Sequence, residues 1–173
     1  ISGVTVKGFI LKTAWAHIID AQENVAGGVC DNLVIQDNDI SDWNYANTTF
    51  RYGLRLSKCK DGTVSGNYFH DPKNGSKNSS LPSVGGVSVG GGTGINLTTG
   101  GGGHSILKNT FRGGTSGFGE ALNFDVGACA IGSDGGICTV ERNLFDDVFR
   151  ALDIEIGSAV RATYNWIEDV AFN

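Results

Sequence analysis

Four polar side chains have the types and spacing that could do chemistry: Asn123, Asp125, Asp153 and Glu155. They sit in two alternating runs, Ala121-Leu122-Asn123-Phe124-Asp125-Val126 and Ala151-Leu152-Asp153-Ile154-Glu155-Ile156. Strict apolar-polar alternation is the pattern of a half-buried strand. Leu122, Phe124, Val126, Leu152, Ile154 and Ile156 are then expected to face a core, and the four polar side chains to face out. On neighbouring strands they would form a square of about 5 by 7 Å. Three carboxylates at that spacing repel one another unless a cation joins them, and hard oxygen ligands so arranged suit Ca²⁺. The same residues also read as a solvated acidic face on an acidic protein, and both readings stand at this point.

Other residues extend the list. Arg150 and Arg161 are the cations nearest the acidic square. They are weak catalytic candidates, because a guanidinium is too basic to accept a proton readily, and ion pairing with the acidic face is their alternative role. Arg55 and Lys58 are expected to face out on the same sheet, where a groove would bind an acidic glycan. Trp43, Tyr45 and Tyr52 could form a sugar-stacking platform there, or pack against the core. His70 reads as a turn residue before Asp71-Pro72. His17 and His104 start strands and have no evident partner in the sequence. There is no Ser-His-Asp, phosphate-loop or zinc-finger pattern. The net charge of −5, with no basic stripe, excludes nucleic acid as a natural partner.

The elements that must position these groups recur along the chain. Leu33-Val34-Ile35-Gln36-Asp37-Asn38-Asp39-Ile40 is one copy of a strand-bend-strand phrase. Others end on Asn67-Tyr68-Phe69, Asn109-Thr110-Phe111, Asn143-Leu144-Phe145 and Asn165-Trp166-Ile167, and Val4 to Ile10 opens the series with Gly8 aligned on the asparagines. Asn and Gly at each bend suggest a left-handed backbone there. The bend residues are spaced 30, 29, 42, 34 and 22 apart, which marks a repeat architecture whose units cannot bury their apolar sides alone. A second strand family precedes the bends, at Gly53–Ser57, Gly94–Thr98, Ala121–Val126 and Ala151–Ile156. Three short strands per unit make a coil of a right-handed parallel β-helix. About six such coils, stacked about 4.8 Å apart, form one domain over 1–173, with a loop insertion over 72–93. A β-sandwich of short strands is the alternative, but it gives no reason for one Asn per unit.

On these repeats the chain resembles the pectin-lyase-like β-helix superfamily over essentially its whole length. A narrower resemblance rests on Asp153-Ile154-Glu155-Ile156 with Asn123 one unit earlier, which is similar to the calcium motif of the alginate lyase and chondroitinase B family of polysaccharide lyases. That resemblance implies a Ca²⁺ that neutralises a uronate carboxylate, with a Lys taking the C5 proton and an Arg assisting in β-elimination. The Lys position is occupied here by Val160, the family's Arg falls on a coil this sequence lacks, and Asp153 stands where Glu is usual. His70-Asp71-Pro72 resembles the Asp-Pro-His motif of β-helix mannuronan epimerases in a different order.

The four cysteines add constraints. Cys30 lies eight residues before Asn38 and Cys59 eight before Asn67, so the two share a position in successive units and are expected to form a disulfide. Cys129 and Cys138 flank a Gly-rich turn and are expected to close a local loop, four reduced buried thiols being the alternative. Two disulfides imply an oxidising compartment. Sequons at Asn47, Asn74, Asn78 and Asn96 would carry glycans in a eukaryotic source. No apolar run reaches membrane-spanning length and no signal peptide is visible. The chain opens mid-repeat and has no Met, so it is expected to be a mature or excised segment. Its ends lack visible caps, which favours a longer helix or end-to-end self-association. Two functions follow as expectations: a secreted module binding or acting on acidic polysaccharide, lyase-like if active, or a structural glycoprotein of a fibre, adhesin or spike built by stacking.

Overall fold

The computed structural model describes residues 2–14, 17–22, 30–43, 51–71, 84–90, 101–113, 118–124, 129, 136–154 and 156–169, of which 22, 51, 84–90, 118–120, 123, 149 and 150 are described by their backbone alone. The described residues form an all-β structure of three sheets. The first holds, in spatial order, β1 (Thr5–Lys7), β4 (Val34–Gln36), β7 (Thr63–Ser65), β10 (Ser105–Leu107), β13 (Cys138–Glu141) and β16 (Val160–Thr163). The second holds β2 (Ile10–Lys12), β5 (Asp39–Ser41), β8 (Tyr68–His70), β11 (Thr110–Arg112), β14 (Leu144–Asp146) and β17 (Trp166–Glu168). The third holds β3 (Ile19–Gln22), β6 (Arg51–Ser57), β9 (Val84–Gly90), β12 (Phe118–Phe124) and β15 (Val148–Ile154). Every strand pairing is parallel. In each sheet the neighbour of a strand is its counterpart from the next sequence repeat, which is compatible with a parallel β-helix.

The recurring asparagines have a role different from the expected one. The left-handed backbone is taken by the residue before each of them: Asp37 (φ 54°), Gly66 (65°), Lys108 (55°), Arg142 (57°) and Tyr164 (56°). The asparagines instead form a buried amide ladder. Asn38, Asn67 and Asn109 each send the backbone N–H and Nδ2 to Oδ1 of the next asparagine, at 2.9 to 3.1 Å. Asn143 does the same toward Asn165 at 3.0 Å. The second Nδ2 hydrogen goes back to a strand carbonyl, as from Asn67 to Ile35 and from Asn109 to Val64. Buried amides must be paired, and a stack of identical amides pairs each with the next. The same register corrects the alignment of the first repeat. Ile10 lies opposite Asp39, so Gly8 (φ 73°) matches Asp37, and Phe9, not Gly8, occupies the ladder position. Phe9 N–H donates to Asn38 Oδ1 at 3.0 Å.

The core is built from side-chain columns. Ile40, Phe69, Phe111 and Phe145 are fully buried at the centre of the second sheet. The rings of Phe69, Phe111 and Phe145 stack nearly parallel, 5.0 and 5.2 Å apart. Leu54, Leu56, Leu122 and Phe124 supply the third sheet, and Ile35, Val64, Ile106 and Val140 the first. Leu122 and Phe124 therefore face in as the alternation predicts. Ile154, opposite Phe124 on β15, the outermost strand of this sheet among the described residues, is 46% exposed, and Ile156, beyond that strand, is 87% exposed.

The loop expected over 72–93 contains a strand. β9 joins β6 to β12, with Val87 and Val89 in register with Leu54 and Leu56 on one side and with Leu122 and Phe124 on the other. Residues two apart keep the two-residue period of the neighbouring strands, so the register carries through β9 despite its glycines. The strand expected over 94–98 lies outside the described residues. Both disulfides form: Cys30–Cys59, with Cα atoms 4.9 Å apart, and Cys129–Cys138. Gly101 packs so closely on the neighbouring repeat that a Cβ there would collide with the Cys59 backbone carbonyl. Among the described residues no helix is long and apolar enough to cross a membrane.

Candidate functional site

The third sheet carries the residues singled out for chemistry. Its register lines up Asp20, Arg55, Ser88, Asn123 and Asp153, one per strand. Asn123 and Asp153 are direct neighbours, as the alternation predicts. Asp125 and Glu155 lie outside the described residues, so two of the four expected calcium ligands can be located. Among the described residues no group of three or more His, Cys, Asp and Glu side chains converges as a metal site.

Arg55 faces out and is held by Asp20, with Nε donating to Oδ1 at 2.9 Å and Nη2 to Oδ2 at 2.8 Å. This bidentate geometry fixes the plane of the guanidinium on the sheet surface. Lys58 follows β6 in a left-handed conformation (φ 61°), half-buried. The aromatic platform is corrected at two of its three positions. Trp43 is fully buried and Tyr52 is 3% exposed, so neither offers a free ring face. Tyr52 stacks on His17 at 5.7 Å, and its backbone N–H donates to His17 Nδ1 at 2.9 Å. Apolar area won over the groove because these rings sit beside inward positions of β5 and β6. Tyr45 lies outside the described residues, as do the sequons Asn47, Asn74, Asn78 and Asn96.

The two cations near the acidic square separate. Arg150 lies on β15 of the third sheet, in register with Glu120. Arg161 lies on β16 of the first sheet, exposed and opposite Thr139, so it does not share a sheet with Asp153. Val160, the position where the family resemblance calls for a Lys, pairs with Cys138 on the first sheet and is half-buried.

A second polar cluster, missed in the sequence, covers the outer face of the second sheet. His70 lies between two carboxylates, with Nε2 2.8 Å from Asp39 Oδ1 and Nδ1 2.7 Å from Asp71 Oδ2. Its ring stacks on Tyr68 at 4.1 Å. On the next strand Arg112, opposite His70, donates from Nε to Asp146 Oδ2 at 2.6 Å. The Asp146 carboxylate raises the Arg112 pKa above its ordinary value, and Tyr68 adds to this. Both ring nitrogens of His70 are engaged, so this histidine is a fixed part of the surface and not a simple turn residue. The signal was present in the sequence. His70, Arg112 and Asp146 each stand three residues after a ladder asparagine, and Tyr68 and Asp39 one residue after. Asp71 turns the chain at φ 48°, which returns its carboxylate to the ring.

His104 is a core histidine. It is buried, and its Nδ1 accepts from Gly62 N–H at 3.0 Å. Burial lowers its pKa below the ordinary histidine value, against smaller opposing effects from the Cys59 backbone, Asp61, Gly62 and Asp31. Gly62 leaves the space, since a Cβ there would meet His104 Nδ1 at 2.8 Å.

Fixed polar groups thus stand on two faces, the Asp20–Arg55 pair on the third sheet and the His70 and Arg112 ion pairs on the second. Compared with known proteins, the chain matches no family model, no curated protein and no solved structure.

Proposed function

We propose that this chain is a secreted right-handed parallel β-helix of about six coils, of the pectin-lyase-like kind, that binds or acts on an acidic polysaccharide along its third sheet. The observation that carries the reading is the register column Asp20, Arg55, Ser88, Asn123 and Asp153, which places a polar residue at the same position of every strand. A linear glycan lying along the stack would meet one such position about every 4.8 Å. Arg55, oriented by Asp20, offers its remaining N–H edge to a carboxylate. Calcium would be held by Asn123, Asp125, Asp153 and Glu155, and such an ion supplies neutralisation of a uronate carboxylate. With Val160 on another sheet, binding is the primary activity of this segment, and a lyase step would need a base other than a Lys at that position. The two disulfides support an extracellular setting.

Calorimetric titration with oligouronates from pectin, alginate and glycosaminoglycans, with and without Ca²⁺, tests this reading. Saturable binding that weakens in Arg55→Ala and Asp153→Ala is expected. Absence of binding to every acidic glycan in both conditions would overturn it.

A second reading is a non-catalytic structural glycoprotein of a fibre, adhesin or spike, which the buried amide ladder and the stacked phenylalanine column, each tying repeat to repeat, would support. Electron microscopy of the protein from its source distinguishes the two, since regular filaments belong to this reading and separate short particles to the first.

A further inference from the structure

The polar cluster on the second sheet is one network across four successive strands of that sheet. Asp39 on β5 binds His70 on β8. The His70 ring stacks on Tyr68, and the Tyr68 hydroxyl takes a hydrogen bond from Arg112 on β11. Arg112 in turn donates to Asp146 on β14. Asp71, at the bend after β8, holds the other nitrogen of His70. The members divide by exposure. The His70 and Asp146 side chains are only 15% and 14% exposed, and they fix partners that stay open: the Asp39 side chain is 37% exposed, that of Asp71 51% and that of Arg112 52%.

These open edges select a ligand. Asp39 uses Oδ1 and Asp71 uses Oδ2 toward His70, so each keeps a second carboxylate oxygen. Arg112 holds Asp146 through Nε, which leaves its outer N–H edge. Side chains already fixed by their partners add little ordering cost when a ligand arrives. Two acceptor edges and a donor edge beside a stacked aromatic pair match a group that both donates and accepts, and a sugar hydroxyl does both. Charge argues against a uronate on this face. Three carboxylates stand against Arg112 and His70, and Arg112 is already paired. Asp42 extends the acid along the adjoining bend, its backbone N–H donating to the Asp71 carbonyl. Like charges on neighbouring strands oppose one another.

We propose that the outer face of the second sheet is a separate saccharide site, centred on Tyr68, His70 and Arg112, that takes an uncharged glycan. It shares no residue with the column of the third sheet. Either site can therefore fail without the other.

The test is a titration of the ¹⁵N-labelled protein, followed by NMR, with neutral hexasaccharides of β-glucan, xylan, mannan and galactan and with a hexagalacturonate. At least one neutral sugar is expected to shift the Arg112 Nε–H signal and the backbone amides of β8 and β11 in a saturable way. The hexagalacturonate is expected to leave those signals in place. Arg112→Lys keeps the charge and loses the planar donor edge, and Asp39→Asn replaces a carboxylate by an amide. Each is expected to weaken binding of the neutral sugar by about tenfold or more. Arg55→Ala, on the other sheet, is expected to leave that affinity unchanged. The same spectra show whether each variant is folded. No saturable shift on β8 and β11 with any of the neutral sugars would overturn the proposal, whatever the third sheet binds. So would hexagalacturonate binding to this face as tightly as a neutral sugar, or unchanged affinity in both folded variants. The first two outcomes need no variant.

Discussion

Asn109 Oδ1 accepts two hydrogen bonds from Asn67, one from the backbone N–H at 2.9 Å and one from Nδ2 at 3.0 Å. One carbonyl oxygen thereby satisfies two donors from the preceding repeat, and Asn109 passes the same arrangement on to Asn143. Removing one rung strands the donors of the rung below. Asn109→Ala is expected to cost roughly 2–6 kcal/mol, from two buried donors left without acceptors. Chemical denaturation measures this, and a loss below about 1 kcal/mol would show that water replaces the amide.

The phenylalanine stack should behave as one column. Phe111 lies between Phe69 and Phe145, with ring contacts on both sides. Phe111→Ala is expected to cost about 3–5 kcal/mol. Thermal melts of Phe111→Leu should fall between those of the alanine variant and the unaltered protein, since leucine refills part of the cavity.

The disulfides differ in the length of chain they close. Cys30–Cys59 spans 29 residues and Cys129–Cys138 spans 9. In the chain-entropy account, losing the first costs about 4 kcal/mol and losing the second about 3. The paired substitutions Cys30→Ala/Cys59→Ala and Cys129→Ala/Cys138→Ala, compared by urea denaturation under oxidising conditions, should keep this order. Thiol titration of the denatured, unreduced protein should find no free thiol.

Acid sensitivity should trace in part to His104. Burial lowers its pKa in the folded state, so the unfolded chain binds its proton first as pH falls. Its contribution is intact above the unfolded value of about 6.5 and is lost as pH falls from there through the lower folded value. The slope is at most about 1.4 kcal/mol per pH unit. His104→Gln keeps an acceptor for Gly62 N–H but does not titrate. Between pH 7 and pH 5 its melting temperature should therefore fall less than that of the unaltered protein, and equal slopes would remove His104 as the cause.

The sequence by itself determined the repeats, the three-strand unit, the alternation that buries Leu122 and Phe124, and both cysteine pairs. These follow from local periodicity and from equal offsets to a recurring residue, which a one-dimensional pattern carries. Only the tertiary structure decided what that recurring residue does. Asn and Gly both suggest a left-handed bend, yet the bend falls one residue earlier, and the asparagine is kept by amide partners 22 to 42 residues away. The same limit explains the surface. Trp43 and Tyr52 stay open between groove and core in the sequence, because aromatic type does not reveal which side of a strand has neighbours. His70 was read as a turn because its two carboxylates come one from the adjacent residue and one from 31 residues earlier. Register between repeats, which depends on insertions of unequal length, brings Asp39 to His70 and Asp153 to Asn123 while sending Val160 and Arg161 to another sheet.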